Sequence, residues 1–201
     1  VGWREYMFWQ YQRLMPGLAS MNFWGSTRSV PDFFWNGRTK MNCLKQIIGR
    51  ALEGSYVHHI ERLMLLSNFC LLIEIQQQAV VDWFMCCFID AYEWVMLPNV
   101  IGMGLYADGG QIGTKPYLAS ANYIHKMSDY CKDCQFDHRK RTGEGACPFN
   151  FLYWHFLIKH ERKLRENHRM ARMLHHLKRF QNSDKAEITE EANQFIGSII
   201  Q

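Results

Sequence analysis

Two runs near the middle of the chain have almost no polar face. Residues 55–73, SYVHHIERLMLLSNFCLLI, and residues 79–97, AVVDWFMCCFIDAYEWVML, are apolar on most sides of a 3.6-residue helix. Each is expected to form a central helix, the second ended by Pro98. Around them the pattern is amphipathic. GWREYMFWQYQRLMPG predicts a helix from Trp3 to Leu14, stopped by Pro16-Gly17. NCLKQIIGRAL predicts a short amphipathic helix, and ASANYIHKMSDYC another. NFLYWHFLIKHERKLREN and RMARMLHHLKRF read as helical, and TEEANQFIGSII closes the chain with Thr189 as its N-cap. Residues 18–38 and YADGGQIGTKPY, rich in Gly, Ser and Pro, read as loops. Strand-like alternation and internal repeats are both missing, so the expected fold class is all-α.

Composition narrows the class. A chain of 201 residues can build a real core. The longest apolar stretches, Leu63–Ile75 and Ala79–Leu97, are broken by Ser67, Asn68 and Glu74, and by Asp82, Asp90 and Glu93, so neither reaches a membrane span. Seven cysteines without a signal peptide argue for a reducing cytoplasm, where clustered thiols hold metal more often than they pair. Cys70, Cys86 and Cys87 lie in apolar runs and are expected in the core. Cys131 and Cys134 form a C-x-x-C pair in a polar stretch, and Cys147 follows, with Pro148 after it. Cys43, after a Gly-containing turn, is placed to be the fourth ligand. The set Cys43, Cys131, Cys134, Cys147 suits either a zinc ion or an iron–sulfur cluster by spacing.

Charge adds two features. Arg62, in HHIER, and Asp90 stand inside apolar runs, and a buried charge needs a partner, so they are candidates for each other. A salt bridge between central helices and a polar lining for a cofactor are both open. The net charge of +4 is concentrated in KHERKLRENHRMARMLHHLKRF, residues 159–180. There Met170, Met173, Leu174 and Leu177 mark an apolar face, and the basic face is either simply solvated or a phosphate-binding surface.

The segments GWREY, FFWNGRTKMNCL, YVHHIERLM, DAYEWVMLPN, ADGGQIGTKPY, MSDYCKDC and RTGEGACPFNFLYWHFL, in that order along the chain, together resemble the bacterial iron–sulfur (6-4) photolyases. The resemblance implies a helical flavin-binding domain and a [4Fe–4S] cluster on Cys43, Cys131, Cys134 and Cys147. It implies FAD held by His59, Arg62, Asp90, Met96 and Asn99, and His59, with His58 as second candidate, donating a proton to the lesion. Histidine as a residue type titrates near neutrality, which suits that role. Met96 stands where common photolyases carry Asn. Val100 replaces their usual Trp, and electrons are expected to pass through Trp83, Phe84 and Trp35, with Trp83 nearest the flavin. Phe84 stands where some members have Tyr, and a phenyl ring is harder to oxidise. Leu63, Lys115, Tyr117 and Tyr123 match positions that approach damaged DNA.

The same resemblance divides the chain into residues 1–125, a part of the FAD-binding domain; 126–180, the cluster region and basic helix; and 181–201, a C-terminal helix. It implies an N-terminal α/β domain with an antenna pigment outside this sequence, which begins at Val1. The expected whole is a monomeric, cytoplasmic, light-driven repair lyase acting on UV-damaged DNA, with this part alone inactive. A cryptochrome-type photoreceptor and a non-photochemical iron–sulfur nucleic-acid-binding module are the alternatives.

Overall fold

The architecture, seen in a computed structural model that describes Gly2–Ile200, is a helical bundle around one continuous apolar core. It is all-α: two isolated bridges, Arg28 to Ile75 and Asp137 to Ala146, are the nearest approach to a sheet among the described residues. In chain order the helices are α1 (Gly2–Leu14), α2 (Phe33–Asn36), α3 (Asn42–Gly54), α4 (His59–Glu61), α5 (Asn68–Leu72), α6 (Gln77–Cys87), α7 (Glu93–Leu97), α8 (Ala121–Met127), α9 (Pro148–Lys159), α10 (Glu161–Leu164), α11 (Ala171–Leu177) and α12 (Asn182–Ile199). No helix among the described residues is long and apolar enough to cross a membrane.

Helix α9 is the axis. It is buried on nearly every side from Pro148 to Leu157, and α5 and α12 pack against it. Phe69 of α5 meets Phe149 edge to face at 5.6 Å. Both ends of α9 are fixed. Cys147 is its N-cap, with Pro148 in the first turn, where a missing N–H costs nothing. At the other end Glu74 accepts from Lys159 Nζ at 2.5 Å and Arg28 at 2.8 Å, and lies 2.8 Å from His160 Nε2. The surrounding cations and hydrogen bonds outweigh the desolvation of Glu74 and hold its carboxyl well below the usual carboxylate range. Lys159 is therefore committed to an internal ion pair. Lys163 is likewise committed, donating to the Phe23 carbonyl.

Several expected elements are interrupted. The helix predicted over residues 55–73 starts only at His59, capped by His58, whose Nδ1 accepts from the Ile60 N–H at 3.3 Å. The helix predicted over 79–97 is two helices. Phe88 turns extended and buried, and the Ile89 N–H bonds to the Ser55 carbonyl at 3.0 Å. That tertiary bond ends α6, so Asp90 sits in a linker with its side chain half in solvent, outside any apolar helix. Cys86 is exposed, because α6 buries Val80, Trp83, Phe84 and Cys87 on one face and turns Cys86 to the other. Pro98 does not end α7. The chain continues to Gly104 in wider π winding. Proline cannot donate to Trp94, and the neighbouring Asn99 amide covers the Val95 carbonyl at 2.7 Å. The basic stretch 159–180 is α10, a 3-10 turn and α11 rather than long helices. Thr189 is interior to α12, which starts at Asn182; the Asp184 carboxylate accepts from the Gln181 N–H at 2.9 Å to close that end.

A second π-wound segment, Arg62–Ser67, joins α4 to α5. It packs on the Pro98–Gly104 segment, and Gly104 makes that approach possible: a Cβ there would meet Ser67 at 2.8 Å. The two irregular segments face the same cavity.

Candidate functional site

The cavity has a volume of about 610 Å³, inside the range of small-molecule and cofactor sites. Its walls come from four parts of the chain. Helix α1 gives Trp3, Arg4 and Met7; α4 and the first π segment give His59, Arg62, Leu63 and Ser67. Phe84 and Asp90 come from α6 and the linker after it. Tyr92, Trp94, Val95, Met96, Asn99, Val100 and Met103 come from α7 and its continuation, and Tyr56 completes the lining. The Phe8–Trp94 edge contact, 5.8 Å between centroids, seats α1 against α7.

Arg62 is the polar centre of this cavity. Its guanidinium donates twice to Asp90, at 2.7 and 3.1 Å, and its Nε donates to the Val57 carbonyl at 2.8 Å. Its guanidinium carbon stands over the Phe88 ring, 4.0 Å from the centroid. The fork geometry leaves Arg62 almost immobile, while Asp90 keeps one side toward solvent. A flat aromatic ligand with a polar edge suits this lining, which offers aromatic rings and thioethers together with one fixed cation and one carboxylate. The residues present therefore fit a flavin.

The cavity gathers His59, Arg62, Leu63, Phe84, Asp90, Met96 and Asn99. It does not gather the others. His58 caps α4 and lies against His59, their rings 4.3 Å apart, without reaching the cavity. Phe84, not Trp83, stands on the wall. Trp83 lies behind it with ring centroids 5.6 Å apart, and its indole N–H donates to the Phe34 carbonyl at 3.0 Å. Trp35 is at the surface, 53% exposed. Lys115 is exposed and Tyr117 and Tyr123 are half-buried, all three away from the cavity lining. Tyr56, Tyr92 and Met103 also line the cavity without having stood out as site residues; for the two tyrosines, an aromatic beside HHIER and beside Asp90 was the available signal.

The four cysteines Cys43, Cys131, Cys134 and Cys147 line a separate, smaller chamber with Met41, Ala121, Ile124, Tyr130 and Phe136. Cys43 comes from the first turn of α3, and Asn42 beside it donates to the Tyr130 carbonyl at 2.9 Å. Cys147 is drawn in by the bonds Asp137 N–H to Gly145 O, 2.7 Å, and Cys147 N–H to Asp137 O, 3.2 Å. Gly143 and Gly145, with φ of 85° and 74°, allow the tight loop between. Burial, then repulsion from the neighbouring thiols, pushes Cys43 well above the ordinary thiol range and Cys147 up to about 12. Such a chamber resists carrying several thiolates unless a cation joins them. Four cysteine thiols around one small chamber are a donor set that an iron–sulfur cluster takes, so the residues present fit that group.

One link joins the two sites. Tyr130, in the chamber wall, donates its phenol proton to Glu61 of α4, and Arg50 bonds both at 2.6 Å. Burial and then the bond to Glu61 raise the Tyr130 phenol to about 12, so it stays a donor. Glu61 and His59 belong to the same short helix, one toward each site.

No protein-family model matches the chain. Comparison with individual proteins makes it a photolyase-like protein. The relative in question is a (6-4) photolyase from Agrobacterium fabrum, 52% identical over 171 residues, which are 85% of this chain and 34% of that protein. The chain thus spans about a third of the length of that relative. A protein described as uncharacterized protein R855, from Acanthamoeba polyphaga mimivirus, is 40% identical over 94 residues, 47% of this chain and 69% of that protein.

Proposed function

We propose that this chain forms the flavin-facing wall and the cluster site of a light-driven enzyme that repairs (6-4) pyrimidine photoproducts in DNA. The convergence of His59, Arg62, Asp90, Met96 and Asn99 on one cofactor-sized cavity carries this reading. Similarity to a (6-4) photolyase supports the choice of lesion.

FAD would be held by Arg62 and Asp90 at its polar edge, with Met96, Asn99 and the aromatic walls against the ring; once reduced and excited it supplies an electron to the lesion and recovers it afterwards. Arg62 fixes orientation because three of its hydrogen bonds are internal and leave no rotation. Phe84, Val100 and Met103 keep water from that wall. His59, exposed at the rim next to Leu63, holds the proton that the lesion needs as a group moves between its two bases. The lesion reaches the rim only when flipped out of the duplex. Lys115, Tyr117 and Tyr123 belong to the DNA-facing surface in this reading, and the exposed Arg162, Arg165 and Arg169 extend it as phosphate contacts. A [4Fe–4S] cluster on Cys43, Cys131, Cys134 and Cys147 would join α3, the 131–134 loop and the N-terminus of α9.

The test is His59→Ala in the protein as it occurs in the cell, assayed on an oligonucleotide carrying one (6-4) product under blue light. Flavin and cluster absorption should be unchanged and lesion binding close to parental. Repair should fall by about 100-fold or more, the scale of a lost general acid. Repair at the parental rate makes His59 structural and passes the role to His58. A protein with flavin but no repair of any photoproduct points to a photoreceptor. One with no flavin leaves the nucleic-acid-binding reading.

A further inference from the structure

Beside the thiol chamber stands a second group of metal-binding side chains. Ligand atoms of His125, Cys131 and His138 all lie within 4.8 Å of one another, the closest such trio among the described residues. The two imidazoles are stacked, with centroids 3.7 Å apart and planes 19° from parallel. They come from different segments. His125 is in the last turn of α8, and His138 is in the loop after Cys134.

One buried side chain holds both segments. Asn150 of α9 accepts from the Ala121 N–H, the first residue of α8, at 3.1 Å. Its amide donates to the carbonyls of His138 at 2.9 Å and Lys140 at 2.7 Å. Its amide nitrogen donates twice and its oxygen accepts once, so the histidine-bearing segments are tied to α9 by three hydrogen bonds. His125 is exposed and the other two are half-buried, which leaves an entry path from solvent.

We propose that His125, Cys131 and His138 form a zinc-type site in the chain when no cluster is present. Two neutral imidazoles and one thiolate are the donor set of a borderline divalent cation, with the fourth tetrahedral position left to water. On binding, the Cys131 thiol loses its proton to solvent and the sulfur bonds the metal, with no change of oxidation state. Cys131 cannot serve both centres. Zinc in this site therefore excludes a four-cysteine cluster, and the two histidines act as a trap that cluster assembly must outcompete. That exclusion rests on the cluster reading above; the binding does not.

The probe is Co²⁺ added to the whole chain, reduced and freed of iron, followed by displacement with Zn²⁺. One Co²⁺ should bind with the intense visible bands of tetrahedral coordination and the near-ultraviolet band of a single thiolate. His125→Gln and His138→Gln should each weaken it by at least roughly tenfold, since even an outer partner of a metal ligand costs that much. Cys134→Ser and Cys147→Ser should leave it unchanged. Far-UV circular dichroism should report the same helix content in all of these. Parental affinity in both histidine variants overturns the site. So does loss on changing Cys134 or Cys147, which signals an all-thiolate centre, and so does a helical iron-free chain that binds no Co²⁺. An iron-free chain without helical signal overturns it too, because the site then does not exist apart from the cluster. For the exclusion, parent preloaded with zinc should take up less iron and sulfide than preloaded His138→Gln. Uptake equal in the two removes the exclusion. Uptake in neither, with or without zinc, withdraws the cluster reading and leaves the cobalt result to decide the site.

Discussion

The thiol chamber and the wide cavity lie on opposite sides of the three-residue helix α4, and they are built in opposite ways. Three of the chamber's four cysteines lie within seventeen residues of one another, from Cys131 to Cys147, joined by a loop that its own backbone closes. Its sulfurs are buried to half-buried, and little besides a metal centre would occupy it. The cavity takes residues from Trp3 to Met103, is open at its rim, and depends on two π-wound segments meeting at Gly104 and Ser67. A closed centre of bonded ligands fails all at once when one ligand is lost. An open pocket of many weak contacts loses function by degrees.

The chamber should show the larger effect. Cys43→Ala is expected to remove the iron and the brown colour, whereas Cys70→Ala, a buried cysteine in α5, should do neither. Iron content and visible absorption measure both. Equal iron in the Cys43 variant and the parent breaks the comparison at its root.

Glu74→Gln separates the two ends of α9. It removes one partner from a buried ion group and should lower stability at pH 7 by about 3 kcal/mol, measured by urea unfolding. Iron content should hold, because the cluster end of α9 is untouched. The folded carboxyl lies below the ordinary value of 4.5. Its contribution is therefore present above that pH and lost as pH falls below it. The parent should lose stability on acidification through that window more steeply than the variant. Parallel pH profiles would remove Glu74 as the source.

Arg62→Ala tests the open site. With a half-solvated Asp90 as partner, the stability cost should be small. Flavin affinity should fall by about tenfold to a hundredfold, the range for hydrogen bonds to a charged group. A large loss of stability with unchanged flavin binding would make the Arg62–Asp90 pair a structural bridge. The smallest effect is expected from Trp83→Phe. It leaves the buried Phe34 carbonyl without its donor, at about 1 kcal/mol, and should slow photoreduction while flavin stays bound and repair from already reduced flavin persists. Loss of photoreduction and repair together assigns Trp83 to packing.

The amino-acid sequence determined the fold class and which side chains would be costly to leave unpartnered. Helical periodicity and the lack of strand alternation gave an all-helical chain, as found, while the burial of α9 on nearly every side came only from its packing. Arg62 and Asp90 were legible as partners because two unpaired charges in apolar runs are costly, and they do pair. Cysteine spacing joined Cys131 and Cys134, and Cys43 stood out by its place after a Gly-containing turn; all four cysteines line one chamber. Only the tertiary structure decided where the helices break. The Ile89 bond to Ser55 competes with helix propagation after Cys87, and nothing local in FIDAYEW announces it. Pro98 reads as a stop but is absorbed by π winding and the Asn99 amide. Glu74 reads as an interruption of an apolar run; its three partners lie 46 to 86 residues away. Local pattern sets the cost of leaving a group unsatisfied. Which distant group satisfies it depends on chain packing, because hydrogen bonds and ion pairs act over a few ångströms and carry no record of sequence separation.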